Sequence, residues 1–400
     1  MNTKGYGYTH IGKKRKDNED AFFADDQLGL YLVCDGMGGH LAGGLAARKT
    51  AEYTREQVEL ESGTIEGFRR DATPDSEIIR FVEGLVNSVC GRLHDLSKSR
   101  IEYTGMGSTL TFLLTVADRA VMGHVGDSRL YLLRDEEVHL LSDDHTYAHD
   151  LARAGIIAAE DEIRSQYGKV LTRSVGSRPL VQADTLLFDL IPGDVFLLCT
   201  DGLSRHLEAP EDLLAALDGD PADASRRLVD LANARGGSDN ITVVTAAVES
   251  PKRTTSASRD HAGAIQNRVK ILGGMPVFGD LLMRELLRLA NISHLTTVDA
   301  DVDVQRRGEP VPAYSRVLSG ALRVLRSGTE PGRLRPGDSF GLAGLLRDVP
   351  ARDTIEAVSE CQLLRVTGKD LARLARARPR LGQKVYARLA QELAGRSDCV

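Results

Sequence analysis

Four hundred residues are more than one ordinary hydrophobic core serves, so two domains are expected. With 42% hydrophobic and 27% charged residues the chain is globular rather than disordered; it holds no run near the roughly 18 apolar residues of a membrane-crossing helix, and its opening MNTKGYGYTH lacks the apolar core of a secretory signal. Residues 1–264 carry a net charge of −13 and residues 265–400 one of +7, but the arginines of the basic part are scattered with few aromatic neighbours, which argues against a nucleic-acid surface.

In chain order, the first feature with chemistry in it is RKDNED (15–20), followed by LYLVCDG ending at Gly36. A second apolar run, VFLLCTDG ending at Gly202, closes on the same Asp-Gly pair. Four or more consecutive apolar residues bounded by turn residues predict strands buried on both faces. A carboxylate at the end of such a strand is held stiffly beside water. Between the two runs, Ile78, Val82, Leu85, Val89, Leu93 and Leu96 step by three and four and predict an amphipathic helix over 76–99. GSTLTFLLTV and AVMGHVGDSRLYLL predict neighbouring strands, and NITVVTAAV (240–248) a closing one. ESPKRTTSASRDHAG (249–263) is polar and without apolar periodicity, the composition of a linker. The expected division is therefore 1–249, a linker over 250–264, and 265–400.

Beyond the linker, PVFGDLLMRELLRLA predicts a helix, and GEPVPAYSRVLSGALRVLRSG and GRLRPGDSFG predict short strands cut by Gly and Pro, the pattern of an antiparallel roll. TGKD (367–370) reads as a capping-box start for a helix interrupted near Pro379 and continued through Val385, Leu389 and Leu393. Cys34, Cys90, Cys199, Cys361 and Cys399 show no paired spacing, so they read as reduced thiols of a cytoplasmic protein, with Cys34 and Cys199 in the core.

Asp20, Asp35, Asp201 and Asp239 stand without a histidine or cysteine cluster, a donor set suited to Mg²⁺ or Mn²⁺ and not to zinc. Carboxylates gathered from distant segments repel one another, and cations at their centre remove that penalty. Two ions about 3.5–4 Å apart can share a water, lower its pKa and clamp an in-line phosphoryl displacement. Arg15 suits the substrate phosphate, since a guanidinium bonds two phosphate oxygens at once. A competing signal is CTDGLSR, from Cys199 to Arg205, which has the spacing of cysteine-dependent phosphatases. That mechanism needs a low-pKa thiolate, and Asp201 two residues away together with a buried-strand context opposes it.

Residues 5–248 resemble the metal-dependent Ser/Thr protein phosphatases of type 2C. GKKRKDNEDAF looks like that family's opening motif and LVCDGMGGHLAGGLAA like its second. GMGSTLT (105–111), HVGDSRLYLL (124–133), SDDHTYAHDLARAGII, LTRSVGS, LLCTDGLS and GGSDNITVV follow in family order. The resemblance implies an α+β fold: a helix-flanked β-sandwich, with metals in a cleft at one end of the sheets. It implies hydrolysis of phosphoserine and phosphothreonine by metal-bound water, without a phosphoenzyme. By the same resemblance Asp35 bridges both metals, Gly36 gives its carbonyl, Asp201 and Asp239 bind directly, Glu19 and Asp20 act directly or through water, and Asp127 stands at a third metal. Arg15, Asp35 and Asp239 are then the expected catalytic residues, and two or three Mn²⁺ or Mg²⁺ ions the expected cofactors. One departure concerns the general acid: many eukaryotic members place a His after the Asp-Gly, whereas this chain has Met37, with His40 three residues on. The general acid stays open.

Residues 276–396 resemble the cyclic-nucleotide-binding domains, a small antiparallel β-roll with flanking helices. Members that bind cAMP or cGMP begin a phosphate cassette with Phe-Gly-Glu, the Glu taking the ribose hydroxyl, and place an Arg nine or ten residues later on the cyclic phosphate. Here Leu342 follows Phe340-Gly341, and the Arg position falls on Ala351 or Arg352 according to the direction of counting, with Asp353 alongside to oppose an anion. A degenerate domain that regulates or docks is expected: a changed ligand or a packing and protein-interaction role is favoured, with cyclic nucleotide as the lesser alternative, and DNA is not expected because no helix-turn-helix follows the roll. The reading as a whole is a cytoplasmic, bacterial phosphatase of phosphorylated Ser/Thr proteins, opposite a cognate Ser/Thr kinase, with neither nucleic acid nor membrane as partner. Its alternative is a catalytically silent pseudo-phosphatase that binds phosphoproteins, against which the full set of acidic residues argues.

Overall fold

A computed structural model describes residues 2–38, 40–70, 73–162, 165, 167–217, 220–249, 268–326, 332–346 and 348–397. The chain divides into two compact units, Met1–Ala262 and Gly263–Val400. Cys399 and all but the first residue of the polar stretch 249–263 lie outside the described residues.

In the first unit, β1 (Asn2–His10), β7 (Arg129–Arg134), β8 (Glu137–Leu140), β10 (Val195–Cys199) and β11 (Ile241–Glu249) form one sheet, in the order β1-β11-β10-β7-β8. The second sheet runs β2 (Asp20–Asp25), β3 (Leu30–Met37), β5 (Leu110–Val116), β6 (Arg119–Val125), β9 (Asp184–Asp189), with the short β4 (Gly107–Ser108) on β3. Every pairing is antiparallel.

The continuous apolar run of β3 is explained by burial on both faces. Leu30, Leu32 and Cys34 join a core with α1 (His40–Leu60) and α3 (Asp75–Ser99), which supply Ala46, Ala47, Val82, Val86 and Val89. Tyr31 and Val33 alternate onto the other face and are fully buried there. The sheets meet through contacts such as Phe188 of β9 against Phe196 of β10, with ring centroids 5.6 Å apart. On the far side α6 (Pro210–Leu217) and α7 (Pro221–Ala234) cover Leu197, Cys199, Ile241 and Val243 with Leu213, Leu228, Val229 and Ala232. The layers are thus helix, sheet, sheet, helix. A fully buried ion pair, Arg134–Asp194 at 2.7 Å, ties β7 to the turn before β10.

One expected strand is two. AVMGHVGDSRLYLL breaks at Gly126-Asp127-Ser128, and its halves, β6 and β7, belong to different sheets. Gly126 has φ +111, and a Cβ there would meet the Thr109 side chain, so only glycine makes this crossing without strain.

The second unit is a roll of two four-stranded antiparallel sheets. One is ordered β12 (His294–Val298), β19 (Cys361–Val366), β14 (Tyr314–Ser319), β17 (Ser339–Phe340). The other is ordered β13 (Asp303–Gln305), β18 (Thr354–Ala357), β15 (Leu322–Leu325), β16 (Gly332–Leu334). Val304, Val317, Leu322, Phe340, Ile355, Ala357, Cys361 and Leu363 form the core between them. The expected helix over PVFGDLLMRELLRLA is shorter: only Met283–Asn291 (α8) is helical. Phe278 N and Leu281 N donate back to Met275 O and Phe278 O as turns, and the Glu285 carboxylate accepts from Leu282 N at 2.8 Å, fixing the start. Thr367 accepts from Asp370 N and caps α9 (Gly368–Ala377), and Pro379 opens α10 (Pro379–Ser397).

Candidate active site

The acidic residues singled out in the sequence come to one end of the sandwich from five separate segments. Asp20 opens β2 and stands directly opposite Asp35 in the β2–β3 ladder. Asp127 lies in the crossing between β6 and β7. Asp201 opens the short helix α5 (Asp201–Ser204) just beyond β10, and Asp239 sits two residues before β11. Both Asp-Gly glycines are required by close backbone approach: a Cβ on Gly36 would overlap the Gly43 carbonyl, and one on Gly202 the Asn240 carbonyl. Gly36 N also donates to Glu19 O at 3.1 Å, which draws the Arg15–Asp20 segment onto β3.

Side chains that the sequence reading did not single out set the orientation of these groups. Asp20 Oδ2 accepts from both Thr200 Oγ1 (2.8 Å) and Thr242 Oγ1 (2.7 Å). Asp35 N donates to Thr109 Oγ1, which shares a hydrogen bond with Ser128 Oγ at 2.7 Å, so one hydroxyl ties the Asp35 and Asp127 loops together. Asn240 Oδ1 accepts from Glu19 N, while its Nδ2 donates to Ile11 O and Asp17 O. Thr109 lies inside GMGSTLT and Asn240 inside GGSDNITVV, so their motifs were visible although their individual roles were not.

Basic side chains complete the arrangement. Arg15 Nη2 contacts both Asp239 oxygens (2.7 and 2.8 Å), and Nη1 lies 3.8 Å from Glu19 Oε2. Lys169 Nζ reaches Asp239 Oδ2 at 3.0 Å. Arg205 donates from Nε to Asp201 Oδ2 at 2.7 Å and from Nη2 to Gly168 O, so the segment bearing Lys169 is held across the cluster. A cleft lined by Asp127, Asp144, Glu162, Asp201, Ser204 and Arg205 leads away from it. His40 opens α1, but its side chain lies outside the described ones; Met37, beside the Asp-Gly pair, has no proton to give.

The electrostatics follow from burial. Asp20 is pushed up to about 7 by burial, against the two threonine hydroxyls and with help from Asp201 and Asp239. Asp127 is pushed up to about 7 by burial and by Asp201 and Asp144. Asp35 stands well above the usual carboxylate range for the same reasons, burial first and then Asp20 and Asp201. Asp239 is the exception: burial acts to raise it, but Lys169 and Arg15 hold it below the ordinary value. The Cys199 thiol, fully buried, is pushed up to about 12 by burial, and the charge of Arg205 is engaged by Asp201, so the Cys199–Arg205 spacing does not make a thiolate nucleophile.

These residues fit hard divalent cations. The donors are all oxygen; Asp201 Oδ1 is buried with no hydrogen-bond partner among the described residues; and mutual repulsion is what a central cation relieves. Among the described residues no group of three acidic, histidine or cysteine side chains is spaced to hold a metal ion. Arg15, Lys169 and Arg205 are bonded to the outer carboxylates instead.

Comparison with known proteins agrees with this picture. The family described as Protein phosphatase 2C matches residues 6–226, and that described as Cyclic nucleotide-binding domain matches residues 296–378. Protein phosphatase PhpP of Streptococcus pneumoniae is 30% identical over 243 residues, which cover 59% of this chain and 93% of that one. The crystal structure of the Mycobacterium tuberculosis serine/threonine phosphatase PstP/Ppp matches with a TM-score of 0.55 at 29% identity, covering 62% of this chain and all of that one. The catalytic domain of PstP in complex with 2 manganese ions matches with a TM-score of 0.54, also at 29% identity, covering 62% and 99%.

Proposed function

This chain belongs to the protein phosphatase 2C family of metal-dependent serine/threonine phosphatases, and we propose that Glu19, Asp20, Asp35, Gly36, Asp201 and Asp239 hold its pair of Mn²⁺ or Mg²⁺ ions, with Asp127 at a third. Its substrates are phosphorylated proteins. When bound, the ions supply the charge that lowers the pKa of an attacking water and stabilises the phosphoryl oxygens in flight.

The chain's own residues prepare that chemistry. Thr200 and Thr242 occupy one oxygen of Asp20, so the other is left for a ligand. Thr109 fixes the backbone of Asp35, which limits how far its carboxylate can swing. Asp239 stays ionised at all ordinary pH because Lys169 and Arg15 favour its charged form. Arg15, with 42% of its side chain exposed, keeps donors available to a phosphate and binds the substrate through them. Asn240 holds the segment that carries Arg15 and Glu19 in place.

The observation that carries this reading is the convergence of buried carboxylates from five segments on one end of the sandwich, with Asp201 Oδ1 unbonded among them. The test is hydrolysis of a phosphothreonine peptide with Mn²⁺, with Mg²⁺ and with EDTA, alongside calorimetric titration of Mn²⁺. Asp35→Ala and Asp239→Ala are expected to lose both turnover and metal binding while keeping the circular dichroism of the parent. Unchanged turnover in either variant would overturn the site assignment, and absence of turnover in the parent with every metal would favour the silent pseudo-phosphatase.

The protein acts in the cytoplasm opposite a cognate Ser/Thr kinase; the four described cysteines, all buried and unpaired, support a reducing compartment. Among the described residues no helix is long and apolar enough to cross a membrane. The second unit regulates or targets the first.

A further inference from the structure

Beside the catalytic cleft, three large apolar side chains face solvent although the backbone that carries them is tied down: Tyr147 is 45% exposed, Tyr167 40% and Val170 49%. They lie together. The Tyr147 and Tyr167 rings meet edge to face, with centroids 5.2 Å apart. Tyr147 N donates to Val170 O at 2.8 Å, and Val170 N donates to Tyr167 O at 3.1 Å. Tyr147 opens α4 (Tyr147–Arg153), whose cap residue Thr146 pairs with Leu171 in an isolated β-bridge.

Bonds to the acidic cluster fix the place of this patch. Thr146 and Gly168, the immediate chain neighbours of Tyr147 and Tyr167, line the cleft together with Asp127 and Asp201. Arg205 bonds Asp201 and donates to Gly168 O at 3.1 Å, while Lys169 Nζ reaches Asp239 Oδ2 at 3.0 Å. Both residues between Tyr167 and Val170 are thus held against the carboxylates that surround the reacting phosphate. The other aromatic pairs of the first unit are buried or half-buried.

Exposed apolar residues scattered singly need no explanation, but a contiguous patch at the rim of a binding cleft is the arrangement that interfaces use. Tyrosine suits such a place, because it offers a large contact area and has little rotamer freedom to lose. A phosphorylated protein brings more than its phosphate to the cleft: the chain on either side of the phosphoresidue must lie along the rim. An extended chain advances about 3.4 Å per residue, so the side chains that pass over the patch are those nearest the phosphorylated one.

We propose that Tyr147, Tyr167 and Val170 form a substrate-docking surface that takes a large apolar side chain of the phosphoprotein, close in sequence to the phosphorylated Ser or Thr. The surface sets which phosphosites are dephosphorylated fastest. It rests on the phosphatase reading of the first unit.

The test measures kcat/KM of the full-length protein with Mn²⁺ on phosphothreonine peptides in which Phe or Glu is placed at each of about three positions on either side. At one or more positions Phe is expected to exceed Glu by about fivefold or more. That ratio should fall toward one in Tyr147→Ala and Tyr167→Ala and persist in Tyr147→Phe and Tyr167→Phe, which keep the apolar ring. A ratio of two peptides on one variant is unaffected by the fraction of protein folded, so a loss of structure cannot mimic the result. Equal kcat/KM for Phe and Glu at every position, or a preference that both alanine variants retain, would overturn the proposal. p-Nitrophenyl phosphate, which has no flanking residues, is assayed alongside: its failure to turn over with any metal is evidence against the phosphatase reading, not the surface. The same peptides, carrying a fluorescent label, are titrated in EDTA and read by anisotropy, so the surface is tested without turnover. Tighter binding of the Phe peptides, lost in the alanine variants, supports it, and equal binding overturns it.

Discussion

The carboxylate cluster predicts that the stabilisation given by metal grows with pH. Asp20 and Asp127, ordinarily ionised above pH 3.8, are pushed up to about 7, chiefly by burial, and Asp35 moves in the same direction. Between those values the metal-free fold binds protons that the unfolded chain has released. Because the folded state binds more protons than the unfolded state, stability falls as pH rises through the window from 3.8 to about 7. At about 1.4 kcal/mol for each tenfold step, one such carboxylate costs the ionised, metal-free fold about 4 kcal/mol, of which about 3 kcal/mol appears above pH 5. Divalent ions remove that cost. His124, lowered to about 4 by burial, and His139, also lowered by burial, act in the opposite sense, stabilising the fold as pH rises toward 6.5. Asp239, held low, contributes only below 3.8. The histidines are common to loaded and metal-free protein and cancel in the difference between them. The assay is therefore thermal unfolding, followed by circular dichroism, with Mn²⁺ or with EDTA at about pH 5, 6, 7 and 8. At about 2–4 °C per kcal/mol for a unit of this size, the gap between the two melting points should widen by about 6–12 °C per carboxylate relieved. A gap that stays level or narrows as pH rises would refute the account of the cluster.

Three other outcomes follow from the first unit. Asp194→Ala leaves Arg134 buried without its carboxylate and is expected to cost about 3–5 kcal/mol in urea unfolding; a loss below about 1 kcal/mol would mean the pair is not desolvated. Turnover is expected to survive both iodoacetamide and Cys199→Ala, because a buried thiol pushed up to about 12 is neither ionised nor reachable; a drop of tenfold or more in either would restore the cysteine mechanism. Lys169→Ala frees Asp239 Oδ2 from a competing cation whose side chain is 62% exposed. Calorimetric Mn²⁺ affinity should rise by about two- to fivefold, the strength of a partly solvated ion pair, and an unchanged affinity would show that Lys169 does not compete.

What could be read from the sequence was what is encoded locally. An apolar run closing on Asp-Gly specifies a stiff strand end, a carboxylate and a residue without a Cβ in three or four letters, and β3 and the end of β10 carry all three. The helix over 76–99 was legible because its apolar face repeats within the helix itself. Features encoded by distant pairing were not. Thr200 and Thr242 matter because they meet Asp20, 180 and 222 residues away in the chain, and a single threonine beside a strand carries no mark of that. Lys169 lies in a stretch without periodicity and owes its place to Arg205, which holds Gly168. AVMGHVGDSRLYLL has the same apolar character on both sides of Gly126, so nothing in its pattern announces that the halves enter opposite sheets. In the second unit, PVFGDLL has helical composition, but turn bonds at Met275 and Phe278 and the cap at Leu282 shift the start to Met283.

Charge lies in the interior of the first unit, where hydrophobic patterning would have been more stable: aspartates between the loops of the sandwich. There the cost is removed by cations, and the residues around the aspartates are arranged so that it can be. In the roll, Leu342 in place of a glutamate removes the partner of a ribose hydroxyl, and Ala351 offers no cation to a cyclic phosphate. Each loss removes a polar contact that a bound cyclic nucleotide would need, at a cost of about 1–3 kcal/mol for each group left unpaired, so any such ligand would be held weakly.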